Sequence, residues 1–326
     1  MNAWLKQVAG IASIFTLLSG AAAHAQGTQS TVKRPIRALV PSPPGGPSDV
    51  QMRLLAPKMG EALGQTIVVD NRPSNNGVVG SELCAKATPD GLTICVGNSG
   101  THAINATLYR KLPYDIIRDF QPISMMGATG LVLAMNPKLP ASNLQELVAF
   151  ARKQPGKTNV GIPGATGQFA GDALWKRLDI SMNNVNFKGS SPTEISLLSN
   201  EIDIAMLTPL ATAQHLKSGR MKALGISSAK RVALLPDLPT IAELGVTGYA
   251  FEFWNGIFAP TGTPPAATRA VYQSIVHALK AAEVRDRLNQ LGFTPGGEPP
   301  AEYTKFVKAE VEKYRKQIIA SGVPLL

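Results

Sequence analysis

Apolar positions along this chain fall into two alternating periods. Residues 36–40 form a short β-prone run. After a proline- and glycine-rich break, Val50, Met52, Leu54, Leu55, Met59 and Leu63 recur at helical spacing, predicting a helix over 48–63. The alternation continues with a strand over 66–69, a helix over 78–87 closed by the turn Pro89-Asp-Gly91, and a strand over 92–96. This β-α-β-α-β order is that of an α/β layer with parallel pairing. A long β-prone stretch covers 123–135, interrupted by small residues at 127–130. A second alternation follows: helices over 143–153, 167–178, 192–199 and 209–217, and strands over 158–161, 184–187, 202–207 and 221–227. A further long β segment over 251–259 precedes helices over 265–280, 283–291 and 300–321. Two long β segments around a complete inner alternation predict two α/β lobes, each a mixed sheet flanked by helices. Crossing strands are placed near 131–135 and 251–257. Residues 32–130 with 254–326 make the first lobe and 131–253 the second.

Ligands of open α/β sheets sit beyond the carboxyl ends of strands, and clefts between lobes are favoured pockets. The strand-to-helix loops are therefore where chemistry is sought. The first is Ser42 to Asp49, with Pro44, Gly45, Gly46, Pro47 and Ser48 between. Its glycines let a backbone approach a ligand, and the helix that follows at once turns free N–H groups and a positive dipole end outward, which suits a carboxylate. Ser48 or Asp49 as a helix cap is the structural alternative. The second loop, 161–167, supplies Gly164, Ala165, Thr166 and Gly167, with Gln168 beside it. Thr166 serves either a ligand or the cap of the helix expected from Gly167. Ser99 and Thr101 lie in a third loop, Asn98 to His102. Asn76 before Gly77 and Ser190 after Lys188-Gly189 are weaker candidates, since a left-handed turn accounts for the first and a solvated lysine for the second. Thr208 ends the strand over 202–207.

Other chemistries lack their constellations. The first loop has neither the Lys-Ser/Thr ending of a phosphate-cradling loop nor dinucleotide spacing. There is no Gly-x-Ser-x-Gly elbow, and no metal-binding histidine pattern, so neither catalytic residues nor a metal or other cofactor are expected. Ser99 with His102 and an aspartate is the set from which a hydrolase could be drawn, and its nucleophile would also need an oriented base.

Composition then narrows the setting. Lys6, an apolar run over 8–18 and Ala23-His24-Ala25 read as a signal peptide over 1–25, its apolar run too short to span a bilayer, so the mature chain is expected to be exported. With Lys6 set aside, the 32 basic and 22 acidic side chains become 31 and 22, a surplus of nine. The basic residues are dispersed, without the runs or interleaved aromatics of a nucleic-acid surface, so nucleic acid is excluded and anionic small molecules fit better. Cys84 and Cys95, in an oxidising compartment, are either a disulfide or two buried thiols.

Ordered motifs run through nearly the whole mature length. They include Pro43-Pro-Gly-Gly-Pro47, Val68-Val-Asp-Asn-Arg-Pro73, Pro89-Asp-Gly91, Thr101-His-Ala-Ile-Asn105, Lys188-Gly-Ser190, Leu235-Pro-Asp-Leu-Pro-Thr240, Trp254-Asn-Gly256 and Ala259-Pro-Thr-Gly-Thr-Pro264. In this order they resemble the tripartite tricarboxylate transporter receptors, the Bug-type periplasmic solute-binding proteins. The resemblance implies a Venus-flytrap fold that holds a small carboxylate between residues 42–49 and 164–168. It also implies a monomer that delivers its ligand to transporter subunits in the membrane or presents it to a sensor kinase. The family pattern commonly has an aromatic residue where Ser42 stands, a histidine at Gln168 and Phe-Asp at Leu207-Thr208. Without that acid an amino group loses a partner, so an organic acid lacking an amino group is expected.

Overall fold

The computed structural model describes residues 34–321 and 325–326; the expected signal peptide lies outside them. In the first half, β1 (Ile36–Val40), α1 (Pro47–Leu63), β2 (Ile67–Asn71), α2 (Val78–Ala85) and β3 (Thr93–Asn98) alternate. A π turn, Gly100–Ile104, leads into α3 (Asn105–Leu108), and β4 (Phe120–Gly130) is separated by Leu131 alone from β5 (Val132–Met135). Then come α4 (Leu144–Lys153), β6 (Asn159–Ile162), α5 (Ala165–Leu178), β7 (Asn183–Asn186), α6 (Ser190–Leu198), β8 (Ile204–Leu207), α7 (Pro209–Lys217) and β9 (Lys222–Ile226). The chain ends with β10 (Glu252–Pro260), α8 (Pro265–Lys280), α9 (Ala282–Gln290), the two-residue β11 (Thr294–Pro295) and α10 (Pro300–Ser321).

Two mixed sheets result, ordered β11-β4-β10-β3-β1-β2 and β7-β6-β8-β5-β9. They share one plan. β1 lies between parallel partners β2 and β3, and β3 is flanked by antiparallel β10. Likewise β6 lies between parallel β7 and β8, and β8 is flanked by antiparallel β5. In such a sheet the chain leaves β1 and β3, or β6 and β8, toward opposite faces. The crevice beyond their carboxyl ends is the place a ligand can enter. Four loops are thereby nominated by topology: those after β1, β3, β6 and β8.

The sheets are joined through a compact node. Leu131 donates its N–H to the Ser227 hydroxyl and accepts from Ser227 N–H, both at 2.8 Å. Ser227 Oγ donates to the Phe251 carbonyl at 2.6 Å, and Phe251 N–H donates back to the Ser227 carbonyl at 2.8 Å. The outgoing and returning chain segments are thus bonded to each other. The C-terminal helix α10 packs on the first sheet, where Tyr303 meets the rings of Trp254 and Phe258 and the Trp254 indole donates to the Glu310 carboxylate at 2.9 Å. A disulfide joins Cys84 in α2 to Cys95 in β3, Cα atoms 6.1 Å apart, so these are not two buried thiols.

Helix starts differ from the sequence reading in an instructive way. α1 begins at Pro47 with Gly46 as its cap residue, so neither Ser48 nor Asp49 caps it. α5 begins at Ala165, two residues before the expected Gly167, which puts Thr166 inside the first turn. α6 likewise starts at Ser190. Apolar periodicity sets in only after the first turn of each helix, so it dates their starts late.

Candidate ligand site

The loops after β1, β6 and β8, and with them the loop after β7, are short and each holds its helix start against a common cavity. After β1, Gly46 N–H donates to the Pro43 carbonyl at 3.2 Å, and Gly45 sits at φ 76, a left-handed conformation that favours glycine. The loop is braced from behind. Asp49, 2% exposed, accepts from Gly45 N–H and from Arg53 Nε, both at 2.8 Å. Arg53 also reaches the Asn71 side-chain oxygen, and Asn71 Nδ2 donates to the Ser42 carbonyl at 3.0 Å. Asp49 is therefore a brace for the loop and does not line the cavity.

After β6 only Pro163 and Gly164 intervene before α5; Gly164 takes φ 152, open to glycine alone. After β8, Thr208 is followed at once by Pro209, whose missing N–H costs nothing at the first helical position. After β7, Lys188 and Gly189 (φ 126) lead into α6. Gly46, Gly164, Gly189 and Thr208 are thus the cap residues of α1, α5, α6 and α7, and all four line one cavity of about 70 Å³.

None of these four helix starts has a side-chain cap. Away from the cavity, α4 is capped by Asn143, which accepts from Glu146 N–H at 2.8 Å, while α8 and α9 also lack side-chain caps, so it is the convergence of the four starts that sets the site apart. An uncapped first turn presents N–H groups without intrahelical acceptors and about half a positive charge. Four of them at one cavity make a strong anion attractor from backbone alone. Among the described residues Lys188 is the single charged side chain in the lining, and no carboxylate lines it.

Of the residues nominated from sequence, Ser42, Gly46, Pro47, Ser48, Asn76, Thr101, Gly164, Ala165, Thr166, Gly167, Ser190 and Thr208 come together at this cavity. Pro44 and Gly45 lie on the exposed outer side of their loop. Gln168 is turned along α5 toward Asp172, and Ser99, fully buried, spends its hydroxyl on Thr166 Oγ1 at 2.8 Å. That last bond ties the loop after β3 to the start of α5. Among the described residues, three polar atoms of the lining are buried without a partner: Ser42 Oγ, Asn76 Oδ1 and Thr208 Oγ1. Leu131, Met206 and Phe253, none of them nominated from sequence, supply apolar wall, and Asn98, Gly100 and Gly189 from the weaker candidate loops also line the cavity.

The hydrolase pair does not form. His102 is fully buried against the Phe120 and Phe258 rings, and its Nδ1 contacts Thr101 Oγ1 at 2.9 Å, not Ser99. Burial pushes its pKa down to about 3, keeping the ring neutral and shielded. Among the described residues no cluster of three or more acidic, histidine or cysteine side chains could hold a metal, and no helix is long and apolar enough to cross a membrane.

Comparison with known proteins places this geometry. The family described as tripartite tricarboxylate transporter family receptor matches residues 51–323. BugT of Bordetella pertussis is 31% identical over 324 residues, covering 98% of this chain and 99% of BugT. Two solved structures from Rhodopseudomonas palustris superpose closely. Rpa4515 with adipate is 29% identical with a TM-score of 0.87, covering 90% of this chain and 99% of that one. MatC with bound malate is 28% identical with a TM-score of 0.83, covering 87% and 99%.

Proposed function

The chain belongs to the tripartite tricarboxylate transporter family of receptors, and on that premise we propose that it captures a small organic acid outside the cytoplasm for delivery to a transporter of that type. The observation that carries the reading is the meeting of four uncapped helix starts at one cavity. Their N–H groups match carboxylate oxygens, and their dipoles supply the countercharge. Adipate and malate, held by the two structural relatives, belong to the same chemical class.

Residues 32–130 with 254–326 and 131–253 act as two lobes that close on the ligand, with the Leu131–Ser227–Phe251 node between them. Export through residues 1–25 delivers the chain to the periplasm. The protein binds without catalysing: its buried histidine faces aromatic rings, and the candidate serine is spent on a structural bond. An acid without an amino group fits best, because an ammonium would find Lys188 and four positive helix ends but no carboxylate. Native mass spectrometry of the purified protein tests the whole reading. A retained carboxylate is expected; a retained amino acid, nucleotide or sugar would defeat it.

A further inference from the structure

Asn76 brings to the cavity a group that an anion trap does not need. It holds φ 51, in the left-handed region that glycine favours and asparagine tolerates. The residue is 7% exposed and lines the cavity. Its Nδ2 donates to the Tyr109 hydroxyl at 3.0 Å, and its backbone carbonyl accepts from Asn105 Nδ2 at 3.0 Å. Oδ1 is left buried and without a partner.

An amide oxygen only accepts hydrogen bonds. A carboxylate cannot satisfy it, whereas the unpartnered hydroxyls of Ser42 and Thr208 can both donate to a carboxylate. The lining therefore asks for two things in one small molecule: an anion for the helix starts and hydroxyls, and a proton donor for Asn76. An ammonium would donate, but against Lys188 and four positive helix ends. A hydroxyl donates without adding charge. Resting on the carboxylate-receptor reading, we infer that this site selects hydroxy acids, the ligand hydroxyl donating to Asn76 Oδ1. Leaving a buried acceptor unpaired is what penalises the deoxy analogue.

Calorimetry with matched triads tests this directly: glycolate, acetate and glycine; lactate, propionate and alanine; malate, succinate and aspartate. In at least one triad the hydroxy acid should bind about tenfold tighter than its deoxy partner, with the amino acid weakest. Asn76→Gly keeps the left-handed backbone accessible; it should erase the hydroxyl preference while leaving the deoxy acid within about twofold. Asn76→Asp should shift the preference toward the amino acid. Thermal melts establish that both variants are folded. Equal affinity for hydroxy and deoxy acids, or a preference that survives Asn76→Gly, overturns the inference while the receptor reading stands. An Asn76→Asp variant that weakens every acid alike also overturns it, since the amide would then be turned with Nδ2 toward the ligand. If no acid of any triad binds, the receptor reading falls with it.

Discussion

Replacing Gly46 with aspartate asks whether the helix start of α1 holds the ligand's charge. Gly46 sits at φ −71 and ψ 164, extended backbone open to any residue, and an added Cβ would meet the Pro43 carbonyl at 3.2 Å and Ser42 Oγ at 3.8 Å. The contact is tight but asks only for small adjustment. Aspartate is among the best N-caps, so its carboxylate would accept from the N–H groups of Ser48 or Asp49, and folding stability should change by less than about 1 kcal/mol. The same cap occupies the donors offered to a ligand and adds a negative charge beside it. Two like charges about 4 Å apart at an effective dielectric near 20 repel by about 4 kcal/mol, about a thousandfold in Kd. Gly46→Asn reproduces the cap without the charge and should lose only about tenfold, the worth of a neutral hydrogen bond. Titration calorimetry with the retained acid, alongside thermal melts, reads both terms. Undiminished affinity in Gly46→Asp refutes the site; equal losses in the two variants show that sterics, not charge, acted.

Other perturbations separate binding from folding. Thr208→Val removes a buried hydroxyl that has no partner of its own, so the ligand-free protein should gain about 1 kcal/mol in denaturant unfolding while acid affinity falls several-fold. Cys84→Ala paired with Cys95→Ala opens a link spanning 11 residues, which should cost about 3 kcal/mol and lower Tm without altering affinity. His102, held near pKa 3 by burial against an ordinary 6.5, must stay neutral in the folded state while the unfolded chain takes up a proton. Its stabilising share is complete above about pH 6.5 and is lost as pH falls toward 3, at about 1.4 kcal/mol per pH unit. Its neighbours Phe120 and Phe258 carry no proton and Tyr114 is pushed up to about 12, so His102→Asn should flatten unfolding free energy between pH 6 and 4; an unchanged slope refutes the assignment.

Much of the fold was legible because β-type runs and helical periodicity alternate cleanly, and prolines stand at the first positions of α1, α7 and α8. The antiparallel pairing of β10 with both β3 and β4, and the short β11, were not, since partner choice across more than a hundred residues leaves no local mark. At the site, glycine loops pointed to the right places. The polar residues within them were harder: Asp49 and Ser99 look like ligand groups in sequence, yet one braces Gly45 and the other bonds Thr166. Lys188 and Gly189 were underrated because a lysine beside a glycine is commonplace until the start of α6 is seen to face the cavity. A usable signal was present: the loops after β1, β6, β7 and β8 each end in a helix start without a side-chain cap, and the residue before each of those first turns lines the cavity.

Helix starts without side-chain caps also bear on how such a receptor diversifies. Main-chain N–H groups have no codon of their own. A point mutation can crowd or mask them but seldom deletes them, whereas Ser42, Asn76 and Thr208 can each be exchanged singly. Affinity for acids in general is then inherited with the fold, and the choice among acids drifts at a handful of positions. Gene duplication followed by substitution at those few sites would give a lineage new nutrients at small risk to the scaffold.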